Sequence, residues 1–537
     1  GYDSAGIATF SENNIVFKKY ASSDNINALE KLEKETKFFS KCHIGIGHTR
    51  WATHGAKTDI NSHPHYSMDK NFVLVHNGII ENFREIKEML QQEGFKFNTE
   101  TDTEIIANLL EYNLKKNSQE KRNNEDKIEY TKYIIKKTVS QIQGTWGLAI
   151  LFKDTPETIY ITRNGSPILI GKQDSFVALS SEASGFSGKV KSYFCLENND
   201  ICSITKLKDK TFSILTEKNY RNSHIKNNIE ASNLTPHPYS HWTIKEIEEQ
   251  PDSILRATNL GGRLMSNNSV RLGGLEENIN LLENIKNIIL LGCGTSYNSA
   301  IYSMPFLKQL CNFNTVQVFD GAEFELIDIP KIGETAFILV SQSGETKDLH
   351  RCINLIETTD STIIGVVNVP DSLIARESHC GTYLNAGREV AVASTKAFTS
   401  QIIVLSLITI WFSQLHNLFP KLRGEYIKCL RQVPIQVQET IEICHKSCKI
   451  MAKEMVNKKS IFVLGKNKSY PIAREGSLKI KEITYIHAEG YSGSSLKHGP
   501  FGLLEPDFPV ILLAPKDETY AKMTNVYEEV LSRKAKV

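Results

Sequence analysis

Three short segments combine small residues with side-chain hydroxyls, the composition of a turn that binds an anion. SQSGET, at 341–346, follows the apolar run 336–340 and precedes apolar residues with helical spacing at 349–356. GCGTS at 292–296 and VASTKAF at 392–398 are similar in composition. A turn from a strand into a helix exposes free backbone N–H groups at the positive end of the helix dipole, and a phosphate fits there. An ordinary N-cap cluster is the alternative for SQSGET taken alone.

The hydroxyl groups of these turns favour a small polyol phosphate over a nucleotide. GCGTS departs from the dinucleotide-binding pattern GxGxxG, because Tyr297 stands where the third glycine is required. No GxxxxGKS or GxxxxGKT loop for a nucleoside triphosphate occurs in the sequence.

The elements around these turns predict a parallel sheet. Apolar runs at 287–292, 335–341 and 362–368 alternate with helical segments, as in βαβ units, and ligands of such sheets bind beyond the carboxyl ends of the strands. A weak internal repeat, IILLGCGTSYNSA from Ile288 and IFVLGKNKSYPIA from Ile461, indicates two copies of one α/β subdomain. The second copy would be short, because the chain stops at Val537.

The first 215 residues have a different pattern. Short strand-like segments alternate there with single helices at 81–93 and 103–114, which predicts a β-rich layered domain with helices outside. The polar, Asn-rich segment 216–240 is typical of a linker.

The composition indicates a soluble protein of several domains. The 537 residues carry a formal net charge of +2, which gives no reason to expect nucleic acid or a membrane as partner. Ten cysteines without a CxxC pair indicate free thiols in a reducing compartment, which predicts the cytoplasm. The segment CHKSC at 444–448 could supply metal ligands, but it lacks a second ligand pair, so we expect no metal site. The uncharged segment 397–415 is long enough to span a membrane, but its seven Ser, Thr and Gln residues favour a buried helix.

Longer motifs resemble one family, the glutamine–fructose-6-phosphate aminotransferases. GCGTSYNS, SQSGET, ASTKAFT, EGSLKIKEITYIHAEGY and LKHGP resemble its sugar isomerase (SIS) domain; GYDSAGIA, HTRWATHG, HPH, VHNGIIEN and TDTE resemble its class II glutaminase domain. The resemblance implies an Ntn-type αββα domain at 1–215, the linker 216–240, and two α/β SIS subdomains at 241–430 and 431–537, the second incomplete. It implies an enzyme that makes glucosamine 6-phosphate and glutamate from fructose 6-phosphate and glutamine, without a cofactor, as a homodimer or larger homo-oligomer.

Two charged residues are candidates for glutamine recognition. Arg50 can hold the α-carboxylate with two hydrogen bonds, and Asp102 can pair with the α-ammonium. A structural ion pair between them is the alternative. The resemblance adds Thr53 and His54 as further substrate contacts.

The resemblance also implies an oxyanion hole made of the Asn77 side chain and the Gly78 backbone N–H. The alternative for this His-Asn-Gly sequence is a hairpin turn. His63 and His65 look like a metal-binding pair, but the resemblance implies a structural loop.

The nucleophile of this family is an N-terminal cysteine, activated by its own α-amine. Here the first residue is Gly1, and Cys42 is mid-chain. We therefore expect the chain as printed not to hydrolyse glutamine. The chain also ends before the family's C-terminal tail, so we interpret it as truncated at both ends and inactive as a fragment.

In the second half, proton transfer between C1 and C2 of a sugar requires a group that takes and returns a proton. The resemblance assigns this role to Glu482, with Lys479 as its neighbour and His498, from the partner subunit, as the ring-opening group. A salt bridge between helix positions i and i+3 is the alternative for the first two. Ser495 departs from the family, which has Glu there. Contacts to phosphate and sugar hydroxyls are implied for Thr295, Ser296, Ser341, Gln342, Ser343, Thr346 and Ser394.

Two other functions stay open at this point. A SIS-type sugar-phosphate isomerase or deglycase would use only the second half, and the glutamine-binding motifs argue against it. A sugar-phosphate sensor would keep both pockets without glutaminase activity.

Overall fold

The computed structural model describes residues 3–11, 14–23, 26–39, 42–50, 56–117, 126–181, 183–186, 189–220, 225–226, 235–370 and 372–537. The chain forms two compact units, Gly1–Leu234 and Thr235–Val537. The division between them lies within the predicted linker 216–240.

The first unit contains mostly antiparallel strands. Its strands are β1 (Ser4–Ser11), β2 (Asn14–Ala21), β3 (Gly45–Arg50), β4 (His65–Tyr66), β5 (Phe72–Ile80), β6 (Gly144–Phe152), β7 (Thr158–Asn164), β8 (Leu169–Lys172), β9 (Val177–Ser180), β10 (Ser192–Cys195), β11 (Ile201–Lys206), β12 (Phe212–Leu215) and β13 (Ile225–Lys226). Its helices are α1 (Ala28–Glu33), α2 (Thr36–Phe39), α3 (Phe83–Gln92), α4 (Asp102–Lys116) and α5 (Lys127–Val139). The two helices predicted at 81–93 and 103–114 are confirmed as α3 and α4.

Two sheets of this unit pack face to face. One has the order β12-β11-β7-β6-β5-β4 and the other β2-β1-β3. Because side chains alternate along a strand, Val73 and Val75 of β5 face Ala8 and Ile46 of the smaller sheet. Phe72 and Leu74 face the opposite way and pack with apolar residues of α4 and α5. On the far side, Ala28 and Leu32 of α1 cover Ala5 of β1. The layers are helix, sheet, sheet and helix, which confirms the predicted αββα arrangement.

The second unit is an α/β structure. Its strands are β14 (Asn287–Gly292), β15 (Thr315–Asp320), β16 (Thr335–Ser341), β17 (Thr362–Val367), β18 (Cys380–Tyr383), β19 (Ser460–Gly465), β20 (His487–Ser492) and β21 (Val510–Leu512). Its helices are α6 (Trp242–Glu248), α7 (Gln250–Ala257), α8 (Gly273–Glu276), α9 (Ile279–Leu282), α10 (Thr295–Leu310), α11 (Lys347–Ile356), α12 (Leu373–Glu377), α13 (Lys396–Leu415), α14 (Pro420–Met455), α15 (Ser469–Thr484) and α16 (Tyr520–Ser532).

Both sheets of the second unit are parallel, as predicted. The orders are β15-β14-β16-β17-β18 and β20-β19-β21. Strand β14 is buried on both faces: Ile288 and Leu290 pack with residues of α10 and α13, while Ile289 and Leu291 pack with residues of α11. Continuous apolar strands of this kind require helices on both sides of the sheet.

The internal repeat is a strand, a turn and a helix in both copies, β14–α10 and β19–α15. Glycine ends each strand for the same reason. A Cβ on Gly292 would lie 2.7 Å from the backbone carbon of Ser296, and a Cβ on Gly465 would lie 2.2 Å from the carbonyl oxygen of Ser469. The first turn of each helix crosses the end of its strand too closely for a side chain. The predicted limit between the two subdomains, 430/431, lies within α14.

Helix α13 contains the uncharged segment 397–415. By length and composition alone it could cross a membrane, but 72% of its most apolar stretch is buried inside the protein. Trp411 and Phe412 lie in the core together with residues of β14 and α10. The structure therefore places this helix in the interior of an α/β unit, as predicted.

Candidate active site

In the first unit, Arg50 ends β3 and Asp102 begins α4. Both side chains are buried. One carboxylate oxygen of Asp102 accepts the backbone N–H of Ile80, at 3.0 Å, and lies 3.9 Å from Nδ1 of His76. Burial lowers the pKa of Arg50, and the charge of Asp102 partly opposes that shift. The fold therefore brings the two predicted glutamine contacts into one electrostatic environment. Thr53 and His54 lie outside the described residues.

Asn77 and Gly78 lie inside β5, so the hairpin alternative is wrong. They pair with Gly147 and Trp146 of β6. Gly78 has φ +152°, and a Cβ there would lie 2.1 Å from the carbonyl oxygen of Thr145. Only glycine fits this approach of two strands. Asn77 is exposed, which leaves its amide available to a ligand.

Next to this strand lies a cluster of histidine rings. The ring of His63 is 4.4 Å from that of His48 and 4.8 Å from that of His65, between centroids. Burial lowers the pKa of His48 to about 4 and the pKa values of His63 and His65 well below 6.5. Within the described part of the chain, no group of three or more His, Cys, Asp or Glu side chains is arranged to hold a metal ion. The rings instead bond to threonine hydroxyls: His63 to Thr103 and His65 to Thr101, at 2.9 and 3.2 Å.

In the second unit, one face of α15 carries three charged side chains. The ammonium of Lys479 lies 3.3 Å from Glu475 and 2.7 Å from Glu482. It also donates a hydrogen bond to the hydroxyl of Thr295, at 3.0 Å. That hydroxyl donates to Glu475, at 3.0 Å, and the side-chain amide of Asn298 donates to the other oxygen of Glu475, at 2.9 Å. The N-terminal turn of α10 is thus joined to the middle of α15.

The SQSGET turn is held by its own side chains. The hydroxyls of Ser341 and Thr346 are 2.9 Å apart, and Ser341 accepts the backbone N–H of Gly344, at 3.0 Å. Gly344 has φ +69°, and a Cβ there would lie 1.9 Å from the hydroxyl oxygen of Ser372. Gln342 and Ser343 are half-buried at the rim of the turn. The turn precedes α11 at the carboxyl end of β16, where the sequence predicts a phosphate site.

The third turn already contains an anionic group. Glu389 accepts the hydroxyl of Ser394, at 2.7 Å, and the backbone N–H groups of Thr395 and Ala397, at 2.8 and 3.1 Å. This carboxylate caps α13 and takes the hydrogen of Ser394. Ser394 can then only accept hydrogen bonds from a ligand, which suits a sugar hydroxyl rather than a phosphate. Sequence reasoning missed Glu389, because it lies outside the hydroxyl-rich motif.

Two further predicted residues, Ser296 and His498, differ in their exposure. Ser296 is buried and accepts the side-chain amide of Gln401, at 2.9 Å. His498 ends the 3-10 turn Gly493–His498 and is exposed. Within the described residues, no hydrogen bond or ion pair joins His498 to Lys479 or Glu482.

Comparison with known proteins covers both halves. A glutamine amidotransferase domain family matches residues 48–187, and a SIS domain family matches residues 281–410 and 454–537. A protein of Acanthamoeba polyphaga mimivirus named "Probable glutamine--fructose-6-phosphate aminotransferase [isomerizing]" is 40% identical over the whole chain and 85% of its own length. A protein of Bacteroides thetaiotaomicron named as the same aminotransferase is 33% identical over the same shares of both chains.

The chain belongs to the isomerizing glutamine–fructose-6-phosphate aminotransferase family. Among solved structures, the C-terminal domain of the glucosamine-fructose-6-phosphate aminotransferase from Francisella tularensis is similar to it, with a TM-score of 0.53 and 30% identity over 56% of this chain and 84% of that one. The amidotransferase match and the names of these relatives favour the aminotransferase function over a SIS-type isomerase and over a sugar-phosphate sensor without glutaminase activity.

Among the residues that join α10 to α15, sequence reasoning missed Glu475. Its signal was present, because Glu475, Lys479 and Glu482 have the spacing of one helix face. The bonds from Thr295 and Asn298 to Glu475 had no such signal, since about 180 residues separate the partners in the chain.

Proposed function

We propose that this chain transfers ammonia from glutamine to fructose 6-phosphate, with ketose–aldose isomerisation, and forms glucosamine 6-phosphate and glutamate. The observation that carries the proposal is the position of Lys479, between two carboxylates and against the first turn of α10. Acid–base groups beside a phosphate-binding edge are what an isomerisation of a sugar phosphate requires.

The two carboxylates of α15 have different roles in this proposal. Glu475 is buried and accepts from Thr295 and Asn298, so its oxygens are engaged by the protein. The side chain of Glu482 is 31% exposed, so a ligand can reach it. Glu482 therefore carries the proton between C1 and C2, while Glu475 holds Lys479 beside it.

Seven residues hold the sugar phosphate in this proposal: Thr295, Ser296, Ser341, Gln342, Ser343, Thr346 and Ser394. The phosphate lies at the SQSGET turn, where Ser343 and Thr346 can donate and the start of α11 favours an anion. Ser394 accepts from a sugar hydroxyl, because its own hydrogen goes to Glu389.

In the first unit, Arg50 and Asp102 hold the two charged ends of the glutamine α-carbon. Asn77 and Gly78 stabilise the oxyanion that forms when the side-chain amide is attacked. Thr53 and His54 are further proposed contacts.

His498 completes the second site from a neighbouring subunit in this proposal, so the protein acts as a homodimer or a larger homo-oligomer. Its exposure, without a bond to Lys479 or Glu482 of its own chain, supports this arrangement. We also propose the domain limits 1–215, 241–430 and 431–537, and the cytoplasm as location, which the ten free cysteines support.

The test is direct. Full-length protein is incubated with fructose 6-phosphate and glutamine, and glucosamine 6-phosphate and glutamate are quantified by mass spectrometry; ammonium replaces glutamine in a parallel reaction. Both products should form in equal amounts with glutamine. Isomerisation without amino-group transfer would contradict the proposal.

The subunit arrangement has its own test. His498→Ala and Glu482→Gln are each expected to inactivate the protein, and subunits mixed from the two variants should regain activity. If each variant alone is inactive, mixtures that stay inactive would place His498 in the site of its own subunit and would contradict the shared arrangement.

A further inference from the structure

The hydroxyl of Thr103 connects two parts of the glutamine site. Its oxygen lies 2.9 Å from Nε2 of His63 and 3.1 Å from Nδ1 of His76. Thr103 is buried, and so are both histidines. His76 directly precedes Asn77 in β5, and Thr103 directly follows Asp102 at the start of α4.

The partners of these groups set the direction of the hydrogen bonds. Nε2 of His76 lies 3.3 Å from the carbonyl oxygen of Thr145, which can only accept, so this nitrogen carries the hydrogen. In the neutral ring, Nδ1 then accepts. The Thr103 hydroxyl has two acceptors within reach, Nδ1 of His76 at 3.1 Å and Oδ1 of Asp102 at 3.4 Å, and it donates to the nearer one, Nδ1. The oxygen of Thr103 in turn accepts from Nε2 of His63.

His63 agrees with this direction. Burial lowers its pKa well below 6.5, so the ring is neutral and carries a single N–H. With that hydrogen on Nε2, Nδ1 needs no acceptor, and among the described residues it has no hydrogen-bond partner. The chain of bonds therefore runs from His63 through Thr103 and His76 to the carbonyl of Thr145.

Two neighbouring residues of α4 fasten β5 on both sides of the proposed oxyanion pair. Thr103 holds the ring of His76, one residue before Asn77, and Asp102 accepts the N–H of Ile80, two residues after Gly78. Because side chains alternate along a strand, fixing His76 on the inner face fixes the direction of Asn77 on the outer face.

We propose that Thr103 is a positioning residue for the oxyanion-binding pair Asn77 and Gly78. It does not touch the substrate; it sets the tautomer and the orientation of His76, and through the strand it aims the Asn77 amide. This inference rests on the glutaminase step proposed above. An oxyanion donor acts in the transition state more than in the bound substrate, so loss of alignment lowers kcat more than it changes KM.

The experiment compares Thr103→Val, which removes the hydroxyl at equal size, with Thr103→Ser, which keeps it. Glutamine hydrolysis by the full-length protein is measured. We expect Thr103→Val to lower kcat by about 10- to 100-fold, with a change in KM for glutamine of about threefold or less. Thr103→Ser should stay within about threefold of the unchanged protein on both constants.

Thr138→Val is the matched control. Thr138 is a buried threonine of α5 in the same unit, and its hydroxyl bonds to Ile134 and Asn113. It should reduce stability without lowering kcat. Equal kinetics for Thr103→Val and the unchanged protein, an effect on KM alone, or a serine variant as slow as the valine variant would each overturn the proposal.

A second readout does not depend on turnover. Spectra of ¹⁵N-histidine-labelled protein, with His76 assigned from a His76→Gln sample, should show a hydrogen on Nε2 and none on Nδ1, and Thr103→Val should shift the Nδ1 signal. Unchanged His76 signals would overturn the proposal. An unchanged protein that releases no glutamate would instead remove the glutaminase function, while the spectra would still decide the role of Thr103.

Discussion

The ammonium of Lys479 lies 2.7 Å from the carboxylate of Glu482, three residues further along α15. The same ammonium is 3.3 Å from Glu475, so two carboxylates share one cation. Glu475 is buried, whereas the side chain of Glu482 is 31% exposed. In the proposed mechanism this difference in exposure, rather than the pairing itself, makes Glu482 the proton carrier and Glu475 the supporting carboxylate.

Glu482→Gln should abolish most of the isomerising activity. The amide keeps the size and one acceptor oxygen of the side chain but cannot carry a proton, so formation of glucosamine 6-phosphate should fall by about 10²- to 10⁴-fold. The affinity for fructose 6-phosphate, measured by calorimetry, should change little. Glu505→Gln, at an exposed position of the same unit, serves as control. Activity within about threefold of the unchanged protein would remove Glu482 from the proton transfer.

Ser343→Ala and Thr346→Ala should weaken binding of the sugar phosphate. A hydrogen bond to a charged group contributes about 1.5–3 kcal/mol, so each variant should bind fructose 6-phosphate about 10- to 100-fold more weakly. Thr358→Ala removes an exposed hydroxyl of the same unit, which bonds to the carbonyl of Leu355, and should bind normally. Unchanged affinity in both turn variants would contradict the phosphate assignment.

The first unit should lose stability in mild acid. Burial holds the pKa of His48 at about 4 and the pKa values of His63 and His65 well below 6.5. The unfolded chain takes up protons near pH 6.5 that the folded unit does not bind, so the stabilisation is complete above pH 6.5 and declines as the pH falls towards 4. Each histidine lowers the free energy of unfolding by up to about 1.4 kcal/mol for each pH unit of decrease in that window.

Hydrogen-exchange mass spectrometry between pH 7 and pH 4.5 measures this loss for peptides of the first unit. His48→Phe should reduce the slope of the unfolding free energy against pH by about one proton taken up on unfolding. His43→Phe, at an exposed position, should leave that slope unchanged. The same slope in the His48 variant and the unchanged protein would show that this ring does not drive the transition.

Gly78→Ala should destabilise the first unit by about 3 kcal/mol or more, because its Cβ would lie 2.1 Å from the carbonyl of Thr145 and the strands would have to separate. Gly94 also has a positive φ, +86°, but no atom lies within 4 Å of a Cβ placed there. Gly94→Ala should therefore cost only the backbone strain, about 1–2 kcal/mol. Urea unfolding of both variants provides the comparison. Equal losses would mean that φ, rather than the close approach, requires glycine at position 78.

The sequence predicted the element types well where local geometry decides them. The apolar run of β14 and the glycine turn after it together predict a buried strand followed by a helix that crosses the end of the strand. The same pattern at β19 made the repeat visible. The SQSGET turn could also be predicted from the sequence, because its hydrogen bonds join residues at most five positions apart.

Some features had weaker signals. The sequence was compatible with a hairpin turn at Asn77 and Gly78. In the structure both residues pair with β6, so they belong to a continuous strand. The hydroxyl of Ser394 indicated an anion-binding turn, but Glu389 already supplies a carboxylate there. A side chain that caps a helix competes with a ligand for the same N–H and O–H donors of the turn. Composition alone does not show whether the side chain or a ligand accepts these hydrogen bonds.

The sequence by itself determined the family, the strand–turn–helix units and the residue types of both sites, because periodicity and turn chemistry act over a few residues. The tertiary structure decided which side chains meet. Thr295 and Glu475, 180 positions apart, are joined by a 3.0 Å hydrogen bond, and Thr103 reaches His63 and His76 across two other segments. Such contacts depend on how α10 packs on α15 and α4 on β5, and that packing is set by the burial of whole faces rather than by any local pattern.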